Sequence, residues 1–198
     1  MKENNRKCVV LGVTGGIACY KSCELVSRLT KAGVDVYVIM TEHATKLVQP
    51  LTFQTLSKHP VAVDTFQPVN AFEVEHIALA QRADLFVIAP ATANILAKLA
   101  CGIADDMLST TALATKAPML VAPAMNTGMW ENPATQANVR TLQARGVQLC
   151  GPAGGLLAAD PAHISSDDSF LAEIAVGQLL LGNDFFGSLD MADDLRKG

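Results

Sequence analysis

Apolar residues in this chain gather into short runs separated by longer amphipathic stretches. The runs at 8–12, 35–40, 84–89, 119–122 and 147–150 show little alternation, as expected of parallel strands covered on both faces. Between the first two, residues 17–32 set Ile17, Tyr20, Leu25 and Leu29 close to one stripe of a helix that Gly33 stops. Further helices are predicted over 50–57, 76–81, 95–100, 106–114, 134–145 and 169–181. Strand and helix in alternation predict an α/β fold, a three-layer doubly wound parallel sheet with right-handed crossovers.

Two stretches break the regularity. Residues 67–75 read as a loop that delivers His76 to a helix start, and 151–168, rich in Gly, Ala, Pro, Ser and Asp, read as a lid or binding flap. After residue 181 the chain turns polar, so 1–181 is read as one domain and 182–198 as a polar tail or linker. Half of the 198 residues are hydrophobic but only 5% are aromatic, so the core must be built mainly from Ala, Val, Leu and Ile. There is no internal repeat.

A formal charge of −4 without a Lys/Arg cluster offers no electrostatic footprint for nucleic acid. The first seven residues are too polar, and the following apolar run too short, for a signal peptide or membrane span. The expected setting is cytoplasmic. Five cysteines, with neither a C-x-x-C pair nor zinc spacing, read as reduced thiols, and no metal site is expected. Cys19 and Cys23, four apart, share a helix face that packs on the sheet.

The candidate chemistry collects where strands end, since ligands of open α/β sheets bind beyond the carboxyl ends of the strands. Gly12-Val13-Thr14-Gly15-Gly16-Ile17 joins the first strand to the first helix, where backbone amides can meet an anion and glycines permit close approach. It is neither G-x-G-x-x-G nor a P-loop. Thr41 follows the second strand and Pro90-Ala91-Thr92-Ala93-Asn94 the third confident one, putting hydroxyls and an amide at one edge. Thr92 also has the place of a helix cap. Pro123-Ala124-Met125-Asn126-Thr127-Gly128-Met129-Trp130 follows the run at 119–122: Asn126 offers two donors and an acceptor, and Met125, Met129 and Trp130 an apolar wall or subunit contact. His76 is the best acid/base candidate among four histidines. Asp105-Asp106 read as acidic residues opening a helix.

Taken together, the glycine-loop block from Gly12 to Lys21, His76-Ile77, Pro90-Ala91-Thr92-Ala93-Asn94, Gly102-Ile103-Ala104-Asp105-Asp106-Met107-Leu108-Ser109-Thr110 and Pro123-Ala124-Met125-Asn126-x-x-Met129-Trp130 closely resemble the homo-oligomeric FMN-containing cysteine decarboxylases. The likeness covers about residues 7–158 and is strongest to the branch that acts on 4'-phosphopantothenoylcysteine in coenzyme A synthesis. The resemblance implies a flavodoxin-like or Rossmann-like sheet, FMN held partly across a subunit contact, and a homotrimer or a dodecamer built of trimers. It assigns cofactor contacts to Thr14, Gly15, Gly16, Ile17, Thr41, Pro90, Ala91, Thr92, Ala93 and Ser109. His76 and Asn126 take catalytic roles, and Asn126, Met129, Ala158 and Ala159 line the substrate.

The chemistry so implied oxidises the terminal cysteine's thiol carbon to a thioaldehyde, whose thiocarbonyl accepts the electrons left by departing carbon dioxide. Reduction of the resulting enethiol then needs a proton from a flap cysteine of the type L-A-C-G. This chain has Leu157-Ala158-Ala159-Asp160 there, and Ala159 has no proton to give. Three activities follow as expectations: the pantetheine-pathway decarboxylase, a peptidyl-cysteine decarboxylase that stops at the enethiol, and a non-catalytic FMN-binding regulatory subunit.

Overall fold

The computed structural model describes residues 6–66, 75–151, 153–154 and 164–165. Six parallel strands, β1 (Cys8–Val13), β2 (Asp35–Met40), β3 (Val61–Ala62), β4 (Leu85–Ala91), β5 (Met119–Pro123) and β6 (Gln148–Leu149), form one sheet in the order β3-β2-β1-β4-β5-β6. That is the strand order of a dinucleotide-binding sheet. Without the two-residue β3 it becomes the flavodoxin-like order, with the second strand outside the first. Every residue of β1 and β4 is buried, which explains why both read as unbroken apolar runs.

Side-chain alternation divides the interior into two cores. Val9, Leu11, Leu85 and Val87 face one side, with Leu25 and Leu29 of α1 (Lys21–Lys31) and Phe53 beyond; Phe53 belongs to a later helix, Pro50–Ser57. Val10, Phe86 and Ile88 face the other side, with Leu96, Leu108 and Leu142. In chain order the helices after α1 are α2 (Glu42–Thr45), α3 (Pro50–Ser57), α4 (Glu75–Arg82), α5 (Ala93–Cys101), α6 (Met107–Ala114), α7 (Thr127–Glu131) and α8 (Pro133–Ala144). Gly12 decides how closely α6 can approach: a Cβ there would lie 2.3 Å from Leu108 Cδ1, a side chain with no exposed surface. Glycine in β1 is therefore a packing requirement of α6.

Four local expectations are corrected. Residues Ile17–Tyr20 form a 3-10 turn before α1, which breaks the 3.6-residue stripe. Ile17 and Tyr20 are each 60% exposed, whereas Leu25 and Leu29 are fully buried. Pro90 and Ala91, expected beyond the strand, belong to β4. The Asn126 segment, expected only to follow the strand at 119–122, contains α7, and α2 and β3 were not foreseen. Within the expected 151–168 loop, Ala153–Gly154 pairs antiparallel with Ile164–Ser165. The helix expected over 169–181 lies outside the described residues. Among the described residues no helix is long and apolar enough to cross a membrane.

Candidate functional site

Four chain reversals at the carboxyl ends of β1, β2, β4 and β5 build the site. The β1 and β4 reversals flank the switch point, where β2 goes to one side of β1 and β4 to the other, the place where such sheets open a crevice. A cleft of about 480 Å³ lies there, lined by Thr14, Gly15, Thr41, Thr92, Ala93 and Met129 of the expected residues. Its size suits a cofactor or drug-sized ligand.

The loop after β1 is tight. Gly16 N–H donates to Thr14 O at 2.8 Å, so one of the amides expected to meet an anion is spent within the turn. A Cβ on Gly15 would lie 2.4 Å from His43 Cβ; the absence of a side chain at Gly15 lets α2 close against this loop. Gly16 sits beside Thr92 and Pro90, its virtual Cβ 3.5 Å from Thr92 Cγ2 and 3.8 Å from Pro90 Cγ. Ile17, which follows this turn, is exposed and does not line the cleft.

Thr41 and Thr92 have parallel roles. Thr41 Oγ1 accepts from Ala44 N at 3.3 Å and Thr92 Oγ1 from Ile95 N at 3.5 Å, capping α2 and α5. A hydroxyl that caps by accepting keeps its proton to donate, so capping and ligand contact are compatible at both. Pro90 and Ala91 are held in β4, and Ala91 O accepts from Ala124 N at 3.0 Å, tying the β4 and β5 ends together. Asn126 caps α7 through Oδ1, which accepts from Gly128 N at 2.8 Å. Its NH2 group is the part chemically suited to bind a carboxylate.

Gly16, Ile17, Pro90, Ala91 and Asn126 belong to the same chain reversals but are not among the residues lining the cleft, and the remaining expected residues lie elsewhere. Ser109 is 1% exposed and its hydroxyl and amide are engaged with Asp106 in a capping box; it does not line the cleft. His76, half-buried in the first turn of α4, is also absent from the lining. Ala158 and Ala159 lie outside the described residues.

The cleft contains residues to which no ligand role was assigned: Glu42, His43, Ile95, Lys98 and Asp106. Lys98 Nζ lies 2.6 Å from both Asp105 Oδ1 and Asp106 Oδ2. Burial alone would raise the Asp106 pKa, but Lys98 and the Ser109 donors outweigh it and hold the carboxyl below its usual range. Burial likewise disfavours the Lys98 ammonium, yet its two carboxylate partners carry its pKa above the ordinary value. Glu42 is lowered by its hydrogen bond to Lys46, 3.0 Å away. A signal for the clamp existed in the sequence: a lysine in the last turn of a helix, then Gly102, then two aspartates. Gly102, at φ +70°, reverses the chain.

With Lys98 already paired, an anion in this cleft would be held chiefly by neutral donors, hydroxyls and backbone N–H groups. Among the described residues, no group of three or more His, Cys, Asp or Glu is placed to hold a metal ion. All five cysteines are free of disulfides, and burial raises the thiol pKa of Cys19 and Cys23.

Comparison with known proteins places this geometry in context. The family model described as Flavoprotein matches residues 1–174. The Coenzyme A biosynthesis bifunctional protein CoaBC of Bacillus subtilis (strain 168) is 53% identical over 155 residues, 78% of this chain. The chain spans only 38% of that relative's length. Among solved structures, the FMN-dependent cysteine decarboxylase SpaF superposes with a TM-score of 0.75 at 33% identity, covering 88% of this chain and 97% of that one. A cysteine-to-serine mutant of PPC decarboxylase complexed with pantothenoylaminoethenethiol superposes at 0.76 and 28% identity, covering 87% and 97%.

Proposed function

The chain belongs to the flavoprotein family, and from that premise we propose that it binds FMN in the switch-point cleft and decarboxylates a substrate ending in cysteine. The first candidate substrate is 4'-phosphopantothenoylcysteine, giving 4'-phosphopantetheine. The observation that carries this reading is the coincidence of the motif residues Thr14, Gly15, Thr41, Thr92 and Ala93 on one cleft, in a chain that is 53% identical to the Bacillus protein over 155 residues. We take 1–181 as the decarboxylase unit and 182–198 as a tail or linker. Cysteines that form no disulfide bonds fit a reducing, cytoplasmic setting.

The residues present fit the cofactor. The close approach allowed by Gly15 and the hydroxyl of Thr41 suit its phosphate end, while Thr92 and Ala93, carried on the buried Pro90–Ala91 end of β4, offer a neutral, partly apolar wall to a flat ring. When bound, FMN supplies reversible two-electron chemistry at the thiol-bearing carbon. The chain's own groups do the rest. Asn126 donates from its NH2 group to the substrate carboxylate and fixes its orientation. Met129 covers that end with an apolar side chain and excludes water. His76 exchanges a proton with the substrate thiol.

Because His76 does not line its own chain's cleft, we assign it to the cleft of a neighbouring copy. The exposed apolar residues Ile17, Tyr20, Leu47, Leu51 and Met129, four of them following the β1 and β2 ends, supply a surface for that contact. This supports a homo-oligomer, trimer or dodecamer.

A second reading is favoured by Ala159 at the expected flap-cysteine position. A decarboxylase without that donor stops at the enethiol, as a peptidyl-cysteine decarboxylase does. The neighbour solved with an ethenethiol bound carries a cysteine-to-serine change, a pairing in keeping with this idea.

The test is turnover by the purified chain, yellow with FMN, followed by mass spectrometry. Phosphopantothenoylcysteine should lose carbon dioxide, and His76→Asn should abolish that loss while retaining FMN. An FMN-loaded protein that decarboxylates neither this substrate nor a peptide ending in cysteine would overturn both readings.

A further inference from the structure

Strand β4 does not run regularly to its end. Between the pairs Ile88↔Val121 and Ala91↔Pro123 it advances three residues while β5 advances two, which is a β-bulge at Ala89 and Pro90. The side chains record the same event. Leu85, Val87 and Ala89 face one core and Phe86 and Ile88 the other, yet Ala91 joins Phe86 rather than Ala89, because one extra residue flips the alternation. Pairing of β4 with β1 also stops at Gly12↔Ile88.

A bulge disrupts ladder bonding, and buried backbone groups need other partners. Two hydroxyls from the β1–α1 segment supply them. Ser22 Oγ donates to Ala89 O at 2.7 Å, and Thr14 Oγ1 donates to Pro90 O at 2.6 Å. Thr14 Oγ1 also accepts from Thr92 N at 3.1 Å. Both side chains are buried, at 2% and 4% exposure for Thr14 and Ser22.

We propose that Thr14 and Ser22 are positioning residues: their hydroxyls hold the bulged Ala89–Thr92 segment and thereby set the wall against which the flavin lies. The sequence assigned Thr14 to the cofactor directly. Its proton is already committed to Pro90 and one lone pair to Thr92, so it acts through that wall. This inference rests on the flavin reading of the cleft.

The experiment measures FMN affinity and the visible absorption band of Thr14→Val, Ser22→Ala and Thr14→Ser. Thr111→Val is the control, a fully buried threonine whose hydroxyl bonds Met107 O at 2.7 Å outside the cleft. All are compared below their unfolding temperatures by circular dichroism. Thr14→Val should raise the FMN Kd about tenfold, equivalent to about 1.4 kcal/mol, and shift the band, while Thr14→Ser restores Kd to within about threefold. Ser22→Ala should change both in the same direction and to a lesser degree, which keeps the test available if Thr14→Val fails to fold. Thr111→Val should lower the melting temperature without moving either readout. Wild-type protein that binds FMN while Thr14→Val and Ser22→Ala match its Kd and spectrum would overturn this inference alone. Failure of the wild type to bind FMN would overturn the flavin reading with it.

Discussion

Replacing Lys98 with methionine removes an ammonium while keeping the length of an apolar stem, so the loss isolates the clamp. The Lys98 side chain is 17% exposed, and its partners Asp106 and Asp105 are 29% and 60% exposed. Exposed ion pairs contribute roughly 0–1 kcal/mol, and breaking a fully buried one costs roughly 3–5 kcal/mol. The Asp105 pair belongs to the first class and the Asp106 pair lies between them, so Lys98→Met should cost about 1–2 kcal/mol at pH 7. For a domain of this size that lowers Tm by about 2–8 °C.

The pH dependence adds a second check. Asp106 has a lowered pKa in the folded state, so its contribution is complete above the unfolded value of about 3.9 and disappears as pH falls through the lower folded value. Lys98 has a raised pKa, so its contribution is complete below about 10.4 and disappears as pH rises through the higher folded value. Both are fully present at pH 7. The stability gap between wild type and Lys98→Met should therefore narrow in acid, below about pH 4, and again in alkali, above about pH 10.4. Thermal unfolding by circular dichroism at neutral and acid pH measures it. An unchanged gap in acid, or a variant as stable as wild type at pH 7, would refute the reasoning.

Two further outcomes are expected. Gly15→Ala places a Cβ 2.4 Å from His43 Cβ and 3.0 Å from His43 C, inside the usual contact distance of about 3.5–4.0 Å; α2 must retreat, costing about 1–3 kcal/mol. Gly16→Ala meets only ordinary contacts, 3.5 Å and beyond, and should cost less than about 0.5 kcal/mol; melting curves of the two flavin-free variants compare them directly, and equal curves would contradict the packing account. Ala159→Cys should shift the product from enethiol towards the reduced aminoethanethiol, read by mass spectrometry. Fully reduced product from the unaltered chain would show that Ala159 imposes no block.

The alternation of strand and helix was legible because each element records its surroundings locally. β1 and β4 are covered on both faces and hence apolar throughout, while α1 buries one stripe at Leu25 and Leu29. One cap was equally plain, since Thr92 accepts from an amide three residues on; Thr41, Asp106 and Asn126 cap in the same way, but the helices that Thr41 and Asn126 cap were too short to be expected. Short elements escaped notice. A four-residue α2 and a two-residue β3 are too brief for a period to register.

The amino-acid sequence by itself determined the layered α/β order, the strand-end positions of the glycine loop, Thr41, Thr92 and Asn126, and the resemblance those motifs carry. Tertiary structure decided what each group touches. Thr14 meets Pro90 and Thr92 across separations of 76 and 78 residues, and Lys98 reaches Asp106 only because Gly102 turns the chain back. His76 stands outside a cleft that its motif associates with it. Periodicity and caps depend on neighbours within one or two turns, so they can be read along the chain. Contacts at a bulge, a clamp or a switch point depend on which strands pair and in what register, and those relations arise only when distant segments pack.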